Sequence, residues 1–241
     1  MLVEYGSGSS IKTRILLDAL EQPVAYVPID ISEEHLAMTA AELQTAYPEV
    51  EISPVVADFT AAFELPESKT EALQVAIYFP GSTIGNFTEA QAGELLGVMA
   101  NILEDQGGLL IGIDLQKDPA VLEAAYNDTQ GVTAAFNLNI LNRINVELGG
   151  HFQLEDFRHR AVYDDQLHRI EISIVSLRDQ QVKIADQVFT LEKGEEILTE
   201  YSHKYTIDGF ARLAAQHGFG LHQSWTDNQE RFAVLYLALD G

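Results

Sequence analysis

The sequence predicts an α/β fold: a mostly parallel sheet with helices on both faces, and a smaller α+β lobe inserted after the fifth strand. Three observations carry that expectation. From Leu2 to Leu115 short apolar strands alternate with stretches of helical periodicity, the pattern of βαβ units. Gln74 to Phe79 is a continuous apolar run, as a parallel strand buried on both faces requires. From Asp118 the alternation breaks into two helices and then alternating strands, before a helix and a strand pair close the chain. The expected boundaries are 1–115 with 206–241 for the core and 116–205 for the inserted lobe.

The first strand, Leu2 to Tyr5, runs into Gly6-Ser7-Gly8-Ser9-Ser10 and then a helix carrying Ile11, Ile15 and the Leu16/Ala19/Leu20 set. A strand that turns over glycines into a helix is how open α/β sheets approach a nucleotide-like ligand. Gly6 and Gly8 leave room for that ligand and allow unusual φ. A dinucleotide turn needs a third small residue where this chain has Ile11, so pyrophosphate is disfavoured. The turn suits a ligand without pyrophosphate, such as S-adenosylmethionine.

Ala25 to Asp30 is the second strand, ending in an acid 22 positions after Gly8. At that offset a strand-end carboxylate meets ribose hydroxyls; the alternative is a turn or cap before Ser32-Glu33-Glu34. His35 to Tyr47 follows as a helix stopped by Pro48. Glu51 to Asp58 reads as the third strand, with Phe59 after it. Asp58 can accept from an adenine amino group while Phe59 packs nearby, although the pair taken alone is equally a plain strand end.

Pro80 to Phe87 is the loop past a central strand, where open sheets place their chemistry. Within it Asn86 is either a substrate contact or a turn residue ahead of a Thr88-capped helix, Glu89 to Leu103. Gly107-Gly108 ends that helix, and Leu109 to Leu115 is the fifth strand.

In the lobe, two helices surround Gly131. The second carries Phe136, Ile140, Ile144 and Leu148 on one side, and Asn137, Asn139, Asn142 and Asn145 on a side read as solvated. Arg169 to Leu177 and Val182 to Leu191 both alternate, which predicts a hairpin. Farther on, Glu200, Ser202 and Lys204 share one face of an extended segment. A carboxylate beside a hydroxyl can take a ring N–H; an exposed edge of mixed charge is the simpler reading of those residues alone. Asp208 is the expected cap of a helix through His217, and Phe219–Trp225 with Arg231–Leu239 close the core.

Composition removes several classes of function. The chain has 241 residues, 46 % of them apolar, enough for one large domain with an insertion. Fourteen basic against 37 acidic residues leave a net charge of −23, which repels nucleic-acid backbones and anionic membranes. No cysteine is present, so disulfides and thiol nucleophiles are excluded. The seven histidines lack metal-ligand spacing, and no metal is expected. No apolar run approaches the ~20 residues of a membrane span and no secretory leader is seen, so a cytoplasmic location is expected. The chain starts on its first strand, which reads as a fragment or a mis-assigned start. Oligomeric state is not legible, and a monomer is the default.

Several of these segments together resemble one family, the S-adenosylmethionine-dependent L-histidine Nα-methyltransferases of ergothioneine biosynthesis. The resemblance rests on Glu4–Thr13, Pro80–Asn86, Ala125–Asp128, Gly131–Asn137, Arg169-Ile170-Glu171, Leu198–Lys204 and Trp225-Thr226-Asp227. It covers essentially the whole chain in order and implies a Rossmann-like class I methyltransferase fold. It also implies three methyl transfers to the α-amine of L-histidine, giving hercynine. By that likeness Gly6, Lys12, Asp30, Asp58 and Phe59 contact the methyl donor, with Gly8 in the same turn. Asn86 and Tyr126 hold the carboxylate and amine end of the substrate, and Glu200 and Ser202 grip the imidazole. Ile172 stands where the family has a methionine against the ring, which changes that apolar wall. The family's N-terminal segment, with further substrate-contacting tyrosines, is absent. The competing expectations are a methyltransferase for another amino acid or aromatic amine, and a non-catalytic form that binds donor or histidine.

Overall fold

The computed structural model describes residues 1–8, 11–103 and 107–239. Ser9 and Ser10, the end of the predicted glycine turn, lie outside the described residues. The chain divides into two compact units, one of Met1–Ile84, Thr88–Leu115 and Tyr205–Gly241, the other of Gly85–Phe87 and Gln116–Lys204.

The first unit opens with β1 (Leu2–Tyr5), α1 (Ile11–Ala19), β2 (Ala25–Asp30) and α2 (Glu33–Ala46). The predicted third strand is in fact two short pieces, β3 (Glu51–Ile52) and β4 (Val55–Val56), both pairing with β2. Pro54 falls between them and has no N–H for the ladder. Asp58 therefore lies beyond the strand, where its carboxylate accepts from the Thr60 N–H and hydroxyl at 2.9 and 2.6 Å.

Then come β5 (Ala76–Phe79), α3 (Glu89–Leu103) and β6 (Gly108–Asp114). A 3-10 turn over Thr83–Asn86 was not expected. Thr88 caps α3 as expected: its hydroxyl oxygen accepts from the Gln91 N–H at 3.4 Å, and its own N–H donates to Gln91 Oε1 at 3.0 Å.

Helix α1 corrects its predicted face. Thr13 and Leu17 are its buried residues, while Ile11 and Ile15 are exposed. Thr13 turns inward because its hydroxyl donates to the buried Glu4 carboxylate at 2.6 Å. Leu17 packs with Leu2, Tyr26, Leu43 and Val50.

The second unit holds α4 (Pro119–Tyr126), α5 (Val132–Leu148), β7 (Phe157–Asp164), β8 (Arg169–Ser176), β9 (Gln180–Ile184), β10 (Gln187–Leu191) and β11 (Glu196–His203). Three corrections apply here. β7 was not predicted, yet it pairs antiparallel with β8 along its whole length. β8 forms no hairpin with 182–191; that segment folds back on itself as β9–β10, turning at Ala185 with φ +49°. On α5, Phe136 is 73 % exposed, while Asn137 is buried with Leu141. Asn137 Nδ2 donates to Ser173 O at 3.1 Å, and Asn145 exchanges two hydrogen bonds with the Phe152 backbone. Those partners draw the asparagine side inward, although Asn139 and Asn142 stay exposed.

Returning to the first unit, α6 (Ile207–Ala215) is capped by Thr206, whose hydroxyl accepts from Gly209 N–H at 3.0 Å; Asp208 lies in its first turn instead. β12 (Phe219–Thr226) and β13 (Phe232–Leu239) complete the sheet in the order β12-β13-β6-β5-β1-β2-β3. β13 is antiparallel to both neighbours, and β6, β5, β1, β2 and β3 run parallel. The sheet is thus the mostly parallel one that the alternating pattern predicts.

Candidate functional site

Residues of interest gather at two places, one in each unit. In the first unit the glycine turn follows β1. Gly6 and Gly8 have φ of +72° and +44°, a region that glycine enters without strain. The Gly6 N–H still pairs with Ile29 O at 2.9 Å, which ties the turn to β2. His35 on α2 hydrogen-bonds the Gly8 carbonyl at 2.9 Å.

Phe59 packs against Tyr5 and Phe79 with ring centroids 5.3 and 5.6 Å apart. A Cβ on Gly6 would come 3.8 Å from Phe59, so Gly6 and Phe59 are neighbours. Asp30 ends β2 and accepts from Ser32 N–H at 3.0 Å, forming the turn that was its alternative reading while leaving carboxylate capacity for a ligand. Lys12 on α1 approaches Gly81, whose Cβ would lie 3.9 Å from its Nζ.

Beneath the turn lies a group the sequence reading missed. Glu4 is buried in the middle of β1 and accepts from the hydroxyls of Thr13 and Tyr26. Burial pushes its carboxyl up to about 7, against the downward pull of those two hydrogen bonds and of Lys12. The signal was present: an acid inside a strand of apolar residues needs buried partners.

Two buried polar atoms here, Tyr5 OH and Ser7 Oγ, have no hydrogen-bond partner among the described residues. A buried polar group left unpaired costs about 1–3 kcal/mol. Orphans at a glycine turn fit a polar ligand that completes them.

In the second unit the predicted substrate residues do come together. Tyr126 ends α4, and its hydroxyl lies 2.7 Å from Ser202 Oγ on β11. Lys204 Nζ donates to both, at 2.9 and 2.5 Å. Glu200, half-buried on the same strand face, receives a side-chain hydrogen bond from the Asn86 amide. Burial raises the Glu200 carboxyl from its usual range; the positive charge of Lys204 and the Asn86 bond oppose that rise.

His203 Nδ1 bonds Gly85 O at 3.0 Å, which holds β11 to the loop carrying Asn86. Ile172 pairs with Glu200 across the ladder, so the two share a sheet face. It is buried with Leu122, Ala161 and Ile170, and Tyr126 packs on that cluster. His159 bonds Tyr126 O at 2.9 Å and Asn137 at 3.0 Å, fixing the end of α4 from below. Sequence reading missed His159 because the strand that carries it was missed.

The sheet order, with one antiparallel strand inserted beside a parallel set, and the glycine turn after β1 define a class of fold, that of the class I S-adenosylmethionine-dependent methyltransferases. A structure of that class from Clostridium acetobutylicum superposes with a TM-score of 0.56 at 9 % identity, covering 100 % of this chain and 84 % of the other. Such a likeness defines the fold.

The family follows from sequence. The model of the histidine-specific, S-adenosylmethionine-dependent methyltransferases matches residues 1–239. Histidine N-alpha-methyltransferases from Mycolicibacterium smegmatis and Mycobacterium tuberculosis are 38 % and 39 % identical to it, each over 97 % of this chain and 73 % of their own length. The chain belongs to that family, and it is an S-adenosylmethionine-dependent N-methyltransferase. Among the described residues no helix is long and apolar enough to cross a membrane.

Proposed function

We propose that this chain transfers three methyl groups in succession to the α-amine of L-histidine, yielding hercynine, with the first unit holding the donor and the second the amino acid. The observation that carries the reading is the second unit's polar cluster, in which Glu200, Ser202, Tyr126 and Lys204 converge from β11 and α4. A carboxylate beside a hydroxyl is a receptor for a polar ring, and a phenol with an amide suits the carboxylate and amine of an amino acid.

In this assignment Gly6, Gly8, Lys12, Asp30, Asp58 and Phe59 hold the donor. Tyr5 and Ser7, whose hydroxyls find no partner among the described residues, join them. Asn86 and Tyr126 hold the backbone end of the substrate. Glu200 and Ser202 hold the imidazole, with Ile172 beside them. When bound, S-adenosylmethionine supplies an electrophilic methyl on a sulfonium.

At each transfer an N–C bond forms as an S–C bond breaks, and the amine loses one proton. The residues' tasks are alignment and electrostatics, since the displacement is in line and needs no covalent help from the protein. The attacking amine must be neutral. A nearby sulfonium charge lowers the pKa of the ammonium form, so no strong protein base is required.

Incubation with S-adenosylmethionine and a panel of amino acids, followed by mass spectrometry, tests the assignment. Histidine should gain three methyl groups, and no gain on histidine would sink the proposal. Glu200→Ala should weaken histidine binding by about tenfold or more, because the ring N–H loses its buried acceptor. Donor affinity should stay nearly unchanged, and equal losses in both would count against the role given to Glu200.

A further inference from the structure

Lys204 is 2 % exposed, at the end of β11. A lysine is rarely buried so completely, because its ammonium must find acceptors to replace water. Two of those acceptors are the hydroxyls of Tyr126 and Ser202, and the ammonium also lies 4.7 Å from the centroid of the Tyr126 ring. An ammonium only donates, so both hydroxyl oxygens accept from it.

The proton count then constrains the pair. Tyr126 OH and Ser202 Oγ are 2.7 Å apart, so one donates to the other. A phenol is the more acidic hydroxyl and so the better donor of the two, and its second lone pair stays open to an N–H of the substrate amine. Tyr126 therefore donates and Ser202 accepts. Ser202 Oγ then receives from Lys204 and from Tyr126, and both of its lone pairs are engaged. Its one remaining capacity is its own proton.

Glu200 stands two residues away on the same strand face as a carboxylate acceptor, with the Asn86 amide on it. A neutral imidazole carries one N–H and one bare ring nitrogen. It therefore needs one acceptor and one donor.

We propose that Lys204 is a positioning residue for substrate choice: by occupying lone pairs of Tyr126 and Ser202 it obliges Ser202 to donate, so that Ser202 and Glu200 together select a ring bearing one N–H and one bare nitrogen. The inference rests on the histidine reading above and deepens it. Rings with an N–H and no acceptor leave the Ser202 proton unpaired in a buried place. Rings with two N–H groups, such as imidazolium, meet it donor to donor.

The wild-type enzyme gives the first test. The two pyrrolylalanine isomers each keep a ring N–H, one near either nitrogen position of histidine, and lack the bare nitrogen. Both should fall by roughly tenfold or more in kcat/KM relative to L-histidine. Either isomer within about threefold of histidine would overturn the inference while leaving histidine methylation standing.

Lys204→Met gives the second. It keeps the length and apolar stem of the side chain and removes the donors. KM for histidine should rise by about tenfold or more while kcat and donor affinity move little, and the preference over the pyrroles should shrink. An unchanged preference in the folded variant would count against the role. If that variant does not fold, the wild-type comparison decides alone. A wild-type enzyme inert toward histidine would instead remove the substrate reading, and this inference with it.

Discussion

Glu4 pairs with two hydroxyls from two other elements, Thr13 of α1 and Tyr26 of β2, and so joins three elements beneath the glycine turn. Its raised pKa has a consequence for stability. The unfolded chain ionises this carboxyl at the ordinary 4.5 of a glutamate, whereas burial in the folded chain pushes it up to about 7. Between those values the folded state holds more protons than the unfolded one, so stability falls as pH rises through the window. Glu4→Gln keeps an acceptor for both hydroxyls and removes the charge. Its stability advantage over wild type should widen by about 2–3 kcal/mol between about pH 5 and about pH 8. Urea unfolding at both values checks this, and a gap independent of pH would show that the carboxyl is not the source.

At the scale of elements, aromatic rings of β13 lie over glycines of β6. A Cβ on Gly112 would come 2.8 Å from Phe232 Cζ and 3.3 Å from the Gly81 backbone nitrogen. Gly112→Ala should therefore cost about 1–3 kcal/mol by overpacking, read as a lower Tm. An unchanged Tm would mean that Phe232 moves aside freely.

Elements of this kind differ in how far the sequence reveals them. β1, β2 and α3 are legible almost to the residue, because apolar runs and helical spacing are local signals. β7 is not, because Arg158, His159 and Arg160 interrupt its alternation. His159 is polar for a partner on α5, and Arg160 for Glu196 on β11, at 2.8 Å. The face of α5 misleads for the same reason: Asn137 has buried acceptors that no spacing rule displays.

The candidate site divides similarly. The shared face of Glu200, Ser202 and Lys204 follows from strand alternation alone. That Lys204 meets Tyr126, 78 positions earlier in the chain, depends on a non-local fold.

Over the whole molecule, the net charge of −23 works against compaction. Ion pairs such as Arg143–Glu147 are largely solvated and offset little of it. Raising salt from about 0.01 M to about 0.1 M shortens the screening length from about 30 Å to about 10 Å. Tm should rise over that range, and a Tm that falls would show that attractive pairs outweigh the repulsion.

The position of β13 has a kinetic side. β6 pairs on one flank with β5, from the preceding stretch of chain, and on the other with Phe232–Leu239, which the chain reaches only after the second unit has been traversed. During refolding, β6 therefore exposes a bare apolar edge until that late strand docks. Such an edge invites pairing with other chains. Refolding yield should consequently depend on protein concentration, with dilute conditions favouring capture of β6 by its own β13 over capture by a neighbour.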